Sequence, residues 1–179
     1  MKYKIFNRIT IFTFIPFLMV SLCGCSVKYT TSGASINYSD VKTASVQYFI
    51  NRAPLGSPKL AQLLTEKLKD KILSQTRLKI VSSGMGDVNL EGFIKDYSTL
   101  PMAVQGGNNA TAALNRLSVT VKLKYNNSKD GQYDYDTEFT RYKDYDSQMS
   151  AQSAEDQYLE KEIVDKLVED IFNRAFVNW

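Results

Sequence analysis

The sequence predicts an α+β protein: a two-layer sandwich in which a mainly antiparallel, four- to five-stranded sheet carries two helices on one face. Three observations lead there. Strand-like alternation recurs along the chain, most cleanly in 117–125, where Leu117, Val119, Val121, Leu123 and Tyr125 alternate with Ser118, Thr120, Lys122 and Lys124. Two segments each carry a single apolar stripe at helical spacing, one starting near Pro58 and one ending near Trp179. Because the strands show one apolar and one polar face, only one sheet face needs a cover, and two one-striped helices supply it.

The amino end precedes this domain. Lys2, Lys4 and Arg8 lead into an uncharged run from Ile9 to Leu22 that closes on Leu22-Cys23-Gly24-Cys25. A basic start, an apolar middle and a small residue before a break form the layout of a secretory signal peptide. The run falls short of the roughly 20 residues that a membrane-crossing helix takes, and Pro16 interrupts it. A Cys23–Cys25 disulfide would be strained across one residue. Zinc is poorly served by a chain with no histidine and no third cysteine. The tetrapeptide resembles the bacterial lipobox, which implies that Cys25 is acylated and that the leader is cut just before it. Residues 1–24 are therefore expected to be a lipoprotein signal peptide. Residues 25–40, polar and small in "SVKYTTSGASINY", are expected to be the lipidated cysteine and its tether. Several acyl chains exceed what stable anchoring needs.

A single domain is expected over 41–179. Residues 41–50 alternate and are rich in β-formers, which predicts a strand. "NRAPLGSP" turns the chain, Ser57 is placed to cap a helix, and Pro58 suits its first position. Leu60, Leu63, Leu64, Leu68, Ile72 and Leu73 form its stripe. "LKIV" at 78–81 is a short strand and "SSGMGD" a Gly-rich turn. In 88–97, Val88, Leu90, Gly92 and Ile94 oppose Asn89, Glu91, Phe93, Lys95 and Tyr97. A long loop is expected over 98–116, then the strand 117–125, a hairpin around Asp130-Gly131, and a return strand with Tyr133, Tyr135, Thr137, Phe139 and Arg141 on one side. Ser153, with Asp156 three residues on, is expected to open the last helix, striped by Leu159, Ile163, Leu167, Ile171, Phe172 and Phe176. The predicted order is β-α-β-β-β-β-α.

Composition narrows the function. Loss of Lys2, Lys4 and Arg8 with the leader leaves 19 bases against 19 acids, so the mature chain is formally neutral. A neutral domain lacks the concentrated basic surface that nucleic acid requires. Without imidazole, a serine or cysteine triad has no base. The acids Asp130, Asp134, Asp136 and Glu138 invite a calcium-loop reading, but the twelfth position is Thr137 rather than glutamate. Cross-strand pairing of Asp134, Asp136 and Glu138 with Lys122 and Lys124 fits better, and no metal site is expected.

The candidate contact residues come from patterning. Tyr142 and Tyr145, beside Arg141 and Lys143, read as an outward interface patch, because Tyr and Arg favour buried interface anchors. Arg116, at the edge of the cleanest strand, joins Leu100, Met102, Val104 and Leu114 in the 98–116 segment as a partner-contact element. Lys122 and Lys124 are either an anion site or balanced surface.

The stretches "VQYFINRAPLGSPKLAQLLTEKLKDKILSQTRL", "LEGFIKDYSTLPMAVQG", "AALNRLSVTVKLKY", "FTRYKDYD" and "VEDIFNRAFVNW", in this order after a lipobox, resemble the lipopolysaccharide-assembly lipoprotein family, LptE-like, in its Bacteroidetes-type form. The resemblance implies a non-enzymatic lipoprotein on the periplasmic side of the outer membrane, with acyl chains on Cys25 and no cofactor. It implies two partners: an LptD-like β-barrel, which the lipoprotein plugs and helps to assemble, and lipopolysaccharide. Arg116, Lys122, Lys124, Arg141, Tyr142 and Lys143 are then the candidate lipopolysaccharide or partner contacts. A lipoprotein binding a small amphiphile or peptide in a helix–sheet cleft is the alternative, and a carboxylate-dependent hydrolase is a third reading.

Overall fold

The structure is a computed structural model that describes residues 36–102 and 114–177. Cys25, the leader, the first part of the tether and Trp179 lie outside the described residues. The elements are β1 (Thr43–Val46), β2 (Ile50–Asn51), α1 (Pro58–Gln75), β3 (Lys79–Val81), β4 (Val88–Met102), β5 (Leu114–Asn127), β6 (Tyr135–Asp146), α2 (Ala151–Tyr158) and α3 (Asp165–Phe176). A 3₁₀ turn, Gly131–Tyr133, joins β5 to β6, and a π-helical stretch, Leu159–Val164, joins α2 to α3.

The sheet runs β3-β1-β4-β5-β6, with β2 pairing β4 further along. The β4-β5-β6 meander is antiparallel, whereas β1 is parallel to both β3 and β4, and β2 is parallel to β4. The α+β, two-layer reading holds, with a sheet that is mixed and six-stranded. Alternation cannot tell strand direction; the crossover through α1 makes β1 and β3 parallel.

The helices cover one face only. Leu60, Leu64, Leu68 and Ile72 of α1 meet Leu90, Ile94, Val119, Val121 and Leu123 of the sheet, all fully buried. Each such aliphatic side chain contributes roughly 1.5–3 kcal/mol. Ile163, Leu167, Ile171 and Phe176 complete the layer from the carboxyl-terminal helical run. Leu73, expected in the α1 stripe, is instead exposed, and Ala61 and Thr65 are buried in its place. Thr65 Oγ is satisfied there: it donates to Ala61 O and accepts from Phe49 N.

Several boundaries differ from expectation. The 41–50 strand is broken in two, and between the pieces Phe49 turns fully inward. Gly92 makes room for it, since a Cβ there would sit 2.6 Å from the Phe49 ring. Ser57 occupies the N-cap of α1, but its side chain makes no capping bond. Ser150, not Ser153, caps α2, accepting from Ser153 N at 3.1 Å. The expected loop over 98–116 is largely strand: β4 continues to Met102 and β5 begins at Leu114. Only 103–113 lie outside the described residues within it, so Val104 and Gln105 are not placed. Ile36 is buried and Tyr38 packs on the core, so the folded domain reaches back into the expected tether.

Tyr97 is the instructive correction. Strict alternation puts it with Phe93 and Lys95 on the polar face, yet it is buried, and its hydroxyl donates to Glu155 on α2 at 2.6 Å. The register slips between Ile94 and Asp96. One extra residue in a strand inverts the facing of everything after it. Lys95 is left on the outer side, where its Nζ reaches both Glu138 oxygens.

Candidate functional site

Among the described residues the face of β4, β5 and β6 away from the helices is open, and the pairing register decides what it presents. Across β4, β5 and β6 the row Leu100–Arg116–Asp144 lies beside Ser98–Ser118–Tyr142, and further along come Phe93–Lys122–Glu138 and Glu91–Lys124–Asp136. Four of the six candidate contacts, Arg116, Lys122, Lys124 and Tyr142, therefore share this face.

At one end, Arg116 is held in a planar fork: Nε and Nη2 donate to the two Asp144 oxygens at 2.6 and 2.8 Å. Its guanidinium lies 3.8 Å from the Tyr142 ring centroid. Hydrogen bonding to Asp144 raises the Arg116 pKa, and the same contact lowers that of Asp144. Beside this pair, Leu100 is 59% and Tyr142 54% exposed. An aromatic, an aliphatic and a pre-oriented arginine together make an anchor-type surface.

Toward the other end lies a depression of about 270 Å³ lined by Ile50, Arg52, Phe93, Lys122, Lys124 and Asp136, among others. The Arg52 guanidinium sits over Phe93 at 4.1 Å. Lys122 pairs with Asp136 at 3.3 Å, while Lys124 and Arg52 have no ion pair among the described residues. Glu91 and Asp136 stand on opposite sides of Lys124, which reads as a charge ladder rather than an acid pair. Of the other acids, Glu138 goes to Lys95, and Asp134 accepts from Asn126 Nδ2 and Asn127 N. The pairing expected for Asp134 with a lysine is thus replaced by hydrogen bonds that close the hairpin.

The remaining candidates serve the fold. Arg141 faces the helices and forks onto Asp170 of α3, with both contacts at 2.5 Å. Lys143, on the same side, lies 3.8 Å from Glu162 and over the Tyr158 ring. Tyr145, expected outward, is 3% exposed. Period-2 alternation separates Arg141, Lys143 and Tyr145 from Tyr142, so the expected patch is divided between two faces. Cys25 lies outside the described residues. Sequence reasoning missed Phe93, which the β4–β5 register sets opposite Lys122, and Ile50 and Arg52, which the β2–β4 pairing adds beside it; no local signal encodes either pairing.

A family model for lipopolysaccharide assembly, LptE, matches residues 41–175. The chain belongs to the LptE family. LptE is a lipopolysaccharide-assembly family rather than an enzyme family. Comparison with curated protein sequences found no match. Among solved structures, a hypothetical protein of Chlamydia trachomatis superposes with a TM-score of 0.53 at 8% identity, covering 75% of this chain and 98% of that one. A minor lipoprotein of Acinetobacter baumannii gives 0.47 at 12% identity, with 75% and 92% covered. An uncharacterised lipoprotein B of Nitrosomonas europaea gives 0.43 at 17%, with 73% and 79% covered. The first of these likenesses supports the fold of this LptE-family domain.

Proposed function

We propose that this LptE-family chain is a lipoprotein of the outer membrane, anchored by acyl chains on Cys25 and lying on the periplasmic side. There it supports assembly of an LptD-like β-barrel, plugs it, and aids insertion of lipopolysaccharide. The family match over 41–175 carries the reading. The geometry agrees with it in kind. Among the described residues the helix–sheet seam is filled by side chains such as Leu64, Leu90, Val121 and Ile163, which lends the cleft-binding alternative no support there. The open sheet face, by contrast, offers Leu100, Tyr142 and Arg116 to a protein wall, and Arg52 and Lys124 to anionic groups.

The test is affinity purification of the tagged chain from detergent-extracted native membranes, with photo-crosslinkers at Leu100 and Tyr142 and a control at exposed Leu73 on the helix side. A stoichiometric barrel, crosslinked from Leu100 and Tyr142 but not from Leu73, is the expected result. Recovery of the chain alone, with crosslinks equal at all three positions, would sink the reading.

A further inference from the structure

The Ser82–Asp87 segment is the part of the fold whose construction exceeds what a connection needs. It links β3 to β4, which lie on opposite sides of β1, so it crosses the outer face of β1. Backbone groups on both sides of Met85 are bonded to β1 and β4. Gly84 N donates to Ser45 Oγ, Gly86 N donates to Asn89 Oδ1, and Asn89 Nδ2 donates to Gly86 O. Ser45 Oγ in turn donates to Asn89 Oδ1 at 2.6 Å, and Met85 N donates to Ser82 O. Gly84 takes φ +76°, open to glycine at no steric cost, and a Cβ on Gly86 would lie 2.6 Å from Ser45 N. At the tip of this fixed loop stands Met85, 78% exposed. The bonds of Gly84 to Ser45 and of Gly86 to Asn89, one on each side of Met85, set where this side chain stands on the surface.

The surroundings say to what. The Asp87 carboxylate accepts from Lys42 N and Thr43 N, which places the crossing beside the point where the chain enters the domain. Residues 37–41 form one tight turn, with Val41 N donating to Asn37 O, so Ile36 enters close by. Asp87 also binds the β5–β6 hairpin: its carbonyl accepts from Ser128 N and its carboxylate pairs with Lys129. On that hairpin Tyr133 is 39% exposed, and Lys42 and Lys79 flank the same end. Whatever their conformation, the eleven steps from Cys25 to Ile36 span at most about 40 Å. The 14 residues of β5 alone measure about 46 Å. The end that carries Leu100 and Leu55 therefore comes to the leaflet only with the connecting chain pulled taut along the domain, whereas the Met85 end lies next to it.

We propose that Met85, supported by Tyr133 and Lys129, is a lipid-contact prong that rests on the headgroup–acyl boundary of the leaflet holding the Cys25 acyl chains. It rests on the reading that Cys25 is lipidated. A thioether side chain enters that boundary, a tyrosine ring sits at its edge, and lysine ammonium groups stay with the phosphates. The contact fixes which end of the domain faces the membrane and leaves the open sheet face lateral, toward a partner in the same membrane.

The experiment uses the full acylated chain with an environment-sensitive NBD dye on Met85→Cys, and a second sample on Leu55→Cys, which is equally exposed at the far end. Each is reconstituted into vesicles of phosphatidylethanolamine with phosphatidylglycerol, with or without nitroxide-labelled acyl chains. Expected are blue-shifted emission and severalfold stronger nitroxide quenching at position 85 than at 55. Vesicle-bound protein with equal quenching at both positions overturns the prong and leaves the lipid anchor standing. Protein that does not float with the vesicles overturns the anchor, and the prong with it.

Discussion

Asp87 joins three parts of the chain through one carboxylate. It accepts from Lys42 N, Thr43 N and Thr43 Oγ and pairs with Lys129, and these bonds hold its pKa far below the ordinary carboxylate value. A group whose folded-state pKa is depressed stabilises the fold fully above its unfolded value, near pH 4, and loses that contribution as pH falls toward the folded value. Asp87→Asn is expected to cost about 1.5–3 kcal/mol at neutral pH, the range for hydrogen bonds to a charged group. It should also reduce the loss of stability below pH 4, though not abolish it, because Asp144 is lowered too. Urea unfolding at stepped pH measures both effects, and an unchanged acid slope would show that the bonds to Asp87 are not kept in solution. Gly92 makes a sharper steric test. Gly92→Ala puts a Cβ 2.6 Å from both the Phe49 ring and Lys122 O. The expected cost is about 1–3 kcal/mol, the range for overpacking a filled core. Adding Phe49→Leu should return part of it, a recovery that a purely backbone effect of Gly92→Ala would not give.

Element by element, what could be read from the sequence followed what a period can carry. The buried stripe of the carboxyl-terminal run (Leu159, Ile163, Leu167, Ile171, Phe172, Phe176) and the buried set of β5 (Leu117, Val119, Val121, Leu123, Tyr125) are the residues that periodicity marks. Tyr97 was not legible, because a bulge at Lys95 changes phase without changing composition. Nor was the β2–β4 pairing that brings Arg52 beside Phe93, Lys122 and Lys124, since parallel pairing depends on where α1 returns the chain. The open face was thus half visible: its lysines stood out, and their apolar floor did not. The β5 alternation yields a paired test. Val121→Asp buries a carboxylate beneath both helices and is expected to unfold the domain or cost at least about 3 kcal/mol. Thr120→Asp, one residue away on the open face beside Thr140, should stay within about 1 kcal/mol. Thermal melts by circular dichroism decide it, and a larger loss for Thr120→Asp than for Val121→Asp would mean that the two faces have been exchanged.

Membrane residence brings the parts together. Among the described residues no helix is long and apolar enough to cross a membrane. On the reading that the leader is cut before Cys25, 19 bases balance 19 acids, so the chain has no net attraction to anionic lipid. A Met85 prong adds a single side chain of apolar contact, which orients a domain but does not hold one. On the proposed reading the holding force is then the acyl chains, at about 0.8 kcal/mol for each buried methylene. On the same reading anchoring confines the domain to the membrane of its barrel, which raises the effective concentration of one for the other without any new contact. Cys25→Ala should therefore do two separable things. It should abolish metabolic incorporation of an acyl probe and move the chain from the outer-membrane fraction to the periplasmic one. It should also weaken barrel co-purification without abolishing it, because the substitution leaves the described fold from Ile36 onward, and the proposed contact face on it, untouched. Continued acyl label on the Ala variant sinks the Cys25 assignment. Lost label with co-purification at full strength would show that the domain–barrel interface suffices on its own and that the anchor serves delivery rather than binding.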